Sequence, residues 1–85
     1  MTVELISPLN ILARRTEPFG VELAENAIGR DLIPVIGDLV RDLPLVYRAV
    51  VAGGLMLLVN AVYETPDVAL KDGDRVSVVL CISGI

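Results

Sequence analysis

The sequence predicts an α+β roll, a four- to five-stranded mixed sheet with one main helix on one face. Two observations lead there, and a third limits the size. Runs near both ends alternate polar and apolar residues, the period of a half-buried strand. One central stretch spaces apolar residues at i, i+3, i+4 and i+7, the period of an amphipathic helix. The chain has 85 residues, enough for one small core, and a single such helix covers only one face of a sheet.

The first strand is expected over Thr2-Val3-Glu4-Leu5-Ile6, with Val3 and Leu5 facing the core. Ser7-Pro8 ends it, because proline lacks the ladder donor and pushes its predecessor out of the α region. Leu9 to Ala13 suits a short helical turn. A second alternating run follows, with Phe19, Val21 and Leu23 on one side and Gly20 and Glu22 on the other. Asn26 to Asp31 reads as loop. Ile36, Leu39, Val40 and Leu43 then form the apolar face of the helix, with Asp38, Arg41 and Asp42 opposite. Pro34 is tolerated in the first turn, where its missing N–H needs no partner. Pro44 ends or restarts the helix, and Leu45 to Val51 suits either a second short helix or a strand.

Gly53-Gly54 reads as a turn, and Leu55 to Val59 as a strand covered on both faces, since it is continuously apolar. Asn60-Ala61 is a tight turn into Val62-Tyr63, and Thr65-Pro66-Asp67 breaks the extended run. Lys71-Asp72-Gly73-Asp74 is a strong turn, in which the aspartates bond nearby backbone N–H groups. Arg75 to Leu80 is the last strand, with Val76, Val78 and Leu80 on one face. The expected core is Val3, Leu5, Val21, Leu23, Ile36, Leu39, Val40, Leu43, Leu57, Val59, Val76, Val78 and Leu80. The first and last strands, both alternating, are expected to pair in the centre. Strand–strand–helix–strand–strand is the order of the β-grasp, or ubiquitin-like, fold. The reading is of one domain over residues 1–85, with a short C-terminal tail from about residue 81.

Composition narrows the function. Hydrophobic residues make up 54% and charged residues 21%, which excludes intrinsic disorder. The longest uncharged run, Ala49 to Tyr63, is fifteen residues, short of the roughly 20 a membrane span needs. No membrane association is expected. The net charge is −4 and the basic residues are scattered, so the basic stripe of a nucleic-acid binder is absent. There is no histidine and one cysteine, Cys81, which excludes histidine acid–base catalysis and a Cys/His zinc cluster. No catalytic residue, cofactor or metal site is expected. Met1-Thr2-Val3-Glu4 lacks the features of a signal peptide, and a cytoplasmic location is the default. Cys81 reads as a small buried residue at a strand end, and Asp72 and Asp74 as turn residues rather than metal ligands. The apolar content exceeds what one small core absorbs. An apolar outer patch on the sheet is therefore expected, serving a protein partner or a homodimer.

From Leu55 onward the sequence resembles the ThiS/MoaD group of ubiquitin-like sulfur carriers of molybdopterin and thiamine synthesis. Val59-Asn60-Ala61 resembles the family's valine-asparagine-glycine turn, with alanine for glycine. Leu70-Lys71-Asp72-Gly73-Asp74-Arg75-Val76 matches its leucine-x-aspartate-glycine-aspartate turn and valine-rich last strand. Gly37 to Leu43 is similar to its helix, and Ser7-Pro8-Leu9 to the loop after its first strand. The aspartate-glycine-aspartate turn also occurs in the TGS domains of RNA-associated proteins, whose function the acidic balance disfavours. The resemblance implies two partners, an adenylating (E1-like) enzyme and an acceptor synthase subunit. It also implies a C-terminal glycine whose carboxylate is adenylated and converted to a thiocarboxylate. Here the family's serine-glycine-glycine tail stands as Ser83-Gly84-Ile85. Isoleucine is stiff and branched at Cβ, so Ile85 is expected to crowd a carboxyl that must enter a narrow cleft. A carrier trimmed after Gly84, partners widened to take isoleucine, and a β-grasp interaction module that has lost the tail chemistry remain as three readings.

Overall fold

The computed structural model describes residues 1–81. The expected tail segment Ser83-Gly84-Ile85, and the extended course expected from Ile82 onward, lie outside the described residues.

Strand β1 is Thr2–Leu5, and a four-residue helix α1, Leu9–Leu12, follows Pro8. Strand β2 is only Phe19–Gly20. A 3-10 turn over Gly29–Asp31 leads into helix α2, Leu32–Leu39. After Pro44 comes helix α3, Leu45–Gly53, and then β3, Leu55–Val59. Strands β4, Val62–Glu64, and β5, Arg75–Leu80, complete a five-stranded sheet in the order β2-β1-β5-β3-β4. β1 and β5 lie parallel at the centre, with Val3 opposite Val76 and Leu5 opposite Val78, and every other pairing is antiparallel. This is the β-grasp order.

Alternation decides what is buried. Val3, Leu5, Leu57, Val59, Val76, Val78 and Leu80 point to one face and are buried there. Leu32, Ile36 and Val40 cover them from the helical side, spaced i, i+4 and i+8. Leu9, Ala13, Val51 and Leu70 close the rim of the same core.

Several expectations are corrected. Val21 and Leu23 are half-buried and lie outside any strand: the last ladder pair is Thr2–Gly20, beyond which Val21 and Met1 exchange two bonds, Val21 N–H to the Met1 carbonyl at 2.9 Å and the Met1 amino group to the Val21 carbonyl at 3.1 Å. Leu39 and Leu43 are also half-buried. The helix is anchored one turn earlier than expected, at Leu32, and ends at Leu39, so Leu39 falls at the edge of the core and Leu43 in the turn that follows the helix. The open segment after Pro44 is helical, so Gly53 ends α3 rather than starting a turn. β3 is not covered on both faces: Leu57 and Val59 are buried, but Met56 is 40% exposed. Both helices sit on the opposite side.

The hairpin between β3 and β4 places Asn60 and Ala61 at φ values of 50° and 71°, the two left-handed positions of a type I′ turn. Asn60 binds the other critical turn. Its side-chain amide donates to Asp74 at 3.0 Å, and its amide oxygen accepts the Arg75 N–H at 3.0 Å. The two turns that carry the family motifs are thus tied together at one end of the sheet.

Candidate functional site: the open sheet face and the root of the tail

The register assembles the uncovered face. Ser77 lies between Glu4 and Leu58, and Leu58 is opposite Tyr63. Met56 lies opposite Val79. Ile6 continues past β1, its N–H donating to the Val78 carbonyl at 2.9 Å, and falls beside Val79. Met56, Leu58, Tyr63, Val79 and Ile6 therefore share one face with no helix over it. Tyr63 is 64% exposed there. Such a contiguous apolar surface marks an interaction site.

That face runs to the point where the chain leaves the sheet. Leu80 is opposite Leu55, and the Cys81 N–H adds one further bond to the Gly54 carbonyl at 2.7 Å. Cys81 was expected to be buried and is exposed. The strand's alternation explains it: Val76, Val78 and Leu80 point inward, so residue 81 falls in the outward phase with Val79. The candidate tail residues Ser83, Gly84 and Ile85 follow from this root and lie outside the described residues.

The opposite end of β5 is built for rigidity. The Asp74 carboxylate accepts the Lys71 N–H at 2.8 Å and the Asn60 amide at 3.0 Å. The Lys71 N–H first, and the Asn60 amide second, hold its carboxyl below the usual aspartate range. Asp72 and Asp74 thus belong to a turn, and among the described residues no three metal-ligating side chains cluster. A cleft of about 460 Å³ lies at this same end, lined by Met1, Glu25, Lys71 and Asp72 among others. It is the length of β5, about 20 Å, from the tail root. No helix among the described residues is long and apolar enough to cross a membrane.

Known structures share this architecture. A protein described as molybdopterin converting factor subunit 1, from Pyrococcus furiosus, superposes with a TM-score of 0.73 at 28% identity, over 95% of each chain. SAMP1 from Haloferax volcanii superposes with a TM-score of 0.73 at 18% identity, over 99% of this chain and 97% of the other, a likeness of fold alone. The chain has the β-grasp fold and resembles the ThiS/MoaD sulfur carriers in structure. No family model and no curated protein matches it. In this β-grasp frame the motif residues Asn60, Asp72, Gly73 and Asp74 belong to the turns, and the outer face of the sheet is open to a partner.

The outer apolar patch expected from composition consists of Met56, Leu58, Tyr63, Val79 and Ile6. Tyr63, Val79 and Ile6 went unassigned, although the inward phase of each strand implies the outward one. The packing of Gly54 against Cys81 had no sequence signal beyond the glycine itself.

Proposed function

We propose that the protein is a small ubiquitin-like sulfur carrier of the molybdopterin/thiamine type, and a protein substrate rather than an enzyme. The observation that carries the reading is the continuity of the open apolar face with the root of the tail at Cys81. An enzyme gripping that face receives the chain as it leaves β5. In this reading residues 1–81 act as a handle and Gly84 bears the chemistry. Hydrolysis of the Gly84–Ile85 peptide bond releases isoleucine and frees the Gly84 carboxylate, which attacks the α-phosphorus of ATP; pyrophosphate leaves, and a sulfide-level donor then displaces AMP to give the thiocarboxylate. The partners are an E1-like adenylating enzyme and an acceptor synthase subunit, which use the sheet face in turn.

Ile85, which follows Gly84, favours a second reading, an interaction module without tail chemistry. The exposure of Met56 and Tyr63 would then serve a protein partner or a homodimer through the sheet face. Both readings are tested by incubating the full chain, and a form ending at Gly84, with the adenylating enzyme of the same genome and ATP. Pyrophosphate release is followed. The carrier reading expects the Gly84 form to react, because removing isoleucine frees a carboxyl with no Cβ beside it. Failure of both forms, with an enzyme proven active on another carrier, would leave the interaction module.

A further inference from the structure

Helix α3 carries an apolar face that no described residue covers. Leu45 is 72% exposed, Val46 65% and Val50 43%, and Ala49 between them is exposed as well. Positions 45, 46, 49 and 50 form one side of the helix, while Val51 on the other side is buried in the core. Arg48 is the helix's only charged residue. Solvated helix faces are polar, and a ridge of this kind marks a contact surface.

Its position says what covers it. The Gly54 N–H donates to the Val51 carbonyl at 3.2 Å, and the Gly54 carbonyl accepts from Cys81 at 2.7 Å. A Cβ on residue 54 would stand 2.7 Å from the Cys81 carbonyl oxygen and 3.2 Å from that of Val50. The last turn of α3 and the root of the tail are therefore packed against the same glycine. Gly84 lies three residues beyond Cys81, and three extended residues span at most about 11 Å. A globular enzyme that holds the Gly84 carbonyl in its centre cannot stand farther from the end of α3 than this tether allows.

We propose that Leu45, Val46, Ala49 and Val50 form a second docking surface, flanking the tail on the helical side, for the adenylating enzyme that receives it. The proposal rests on the carrier reading. Apolar complementarity is the recognition: the enzyme presents an uncharged apolar groove to α3 while the sheet face makes the other contact.

The test is steady-state pyrophosphate release with the Gly84-ending form as wild type, with Val46→Gln/Val50→Gln, and with Ile11→Gln as a control on exposed α1. Thermal unfolding confirms that each variant is folded, and Val46→Gln alone serves if the double variant is not. The expected result is a KM raised by about tenfold or more with kcat little changed, the order expected for truncating central interface contacts. Ile11→Gln is expected to leave both constants unchanged. An unaltered KM in the folded α3 variant, with wild type active, overturns the docking role and leaves the carrier reading standing. Absence of reaction in both wild type and the full chain, with an enzyme proven active on another carrier, overturns both. A dimer in sedimentation that the α3 variant dissolves, with KM unaltered, assigns the ridge to a second copy and also overturns the proposal.

Discussion

The two faces of the sheet are made by the same strands and have opposite uses. On the inner face Val3, Val76 and Val78 are sealed beneath Leu32, Ile36 and Val40. On the outer face Met56, Leu58, Tyr63 and Val79 are apolar too, yet nothing in the described chain covers them. Hydropathy alone does not separate the two sets. What separates them is which side the helices occupy, and that is decided by the connections: the crossover from β2 through α2 and α3 to β3 lays both helices on one side. The inner set supplies stability and the outer set is free to be read by another protein.

The largest expected effect breaks the inner set. Leu32→Ala removes a buried anchor of α2 and is expected to cost about 2–5 kcal/mol by denaturant unfolding. Leu39→Ala, at the half-buried edge, is expected to cost clearly less. Equal costs would mean that the helix is rotated relative to the sheet. Gly29→Ala comes next. Its added Cβ would lie 2.5 Å from Leu57 Cδ1 and 3.1 Å from the Pro66 carbonyl oxygen, so the core must shift, at a cost of about 1–3 kcal/mol.

Ala61→Gly acts in the opposite direction. Alanine at φ 71° is strained, and glycine there is expected to stabilise by about 1 kcal/mol. Met56→Gln on the outer face is expected to change stability by no more than about 0.5 kcal/mol while weakening partner binding. A large loss of stability there would show that the face is not open.

The smallest effect is a pH dependence. The Asp74 carboxyl is held below its ordinary value in the folded state. Its contribution is therefore complete above the unfolded-state pKa and is lost as pH falls through the lower, folded-state value. Asp74→Asn is expected to flatten that acid limb of stability against pH, and an unchanged limb would show that the Lys71 and Asn60 bonds do not favour the ionised form.

The central ladder, the Asn60-Ala61 hairpin and the Asp74 turn were legible because each is written in local period or turn chemistry. Leu32 was missed because the helical pattern was counted from Ile36, with Pro34 as its start. Leu70 was missed because its burial depends on a distant strand-like contact, the Leu70 N–H to Ala27 carbonyl bond at 3.0 Å, which no local periodicity records. Leu55 to Val59 was misread as doubly covered because an unbroken apolar run states affinity for cover without stating where the cover is. The tail was legible only as a motif, since Ser83-Gly84-Ile85 has no periodicity from which to argue.

The division between faces is tested most directly by methyl cross-saturation from the proposed partner, a bound adenylating enzyme, to the isotopically labelled protein. Saturation is expected at the methyl groups of Met56, Leu58 and Val79 and not at those of Leu57, Val59 and Val78, their neighbours along the same strands. Saturation of the second set in place of the first, or of neither set in a complex shown to form, would contradict the assignment of the outer face as the surface a partner reads.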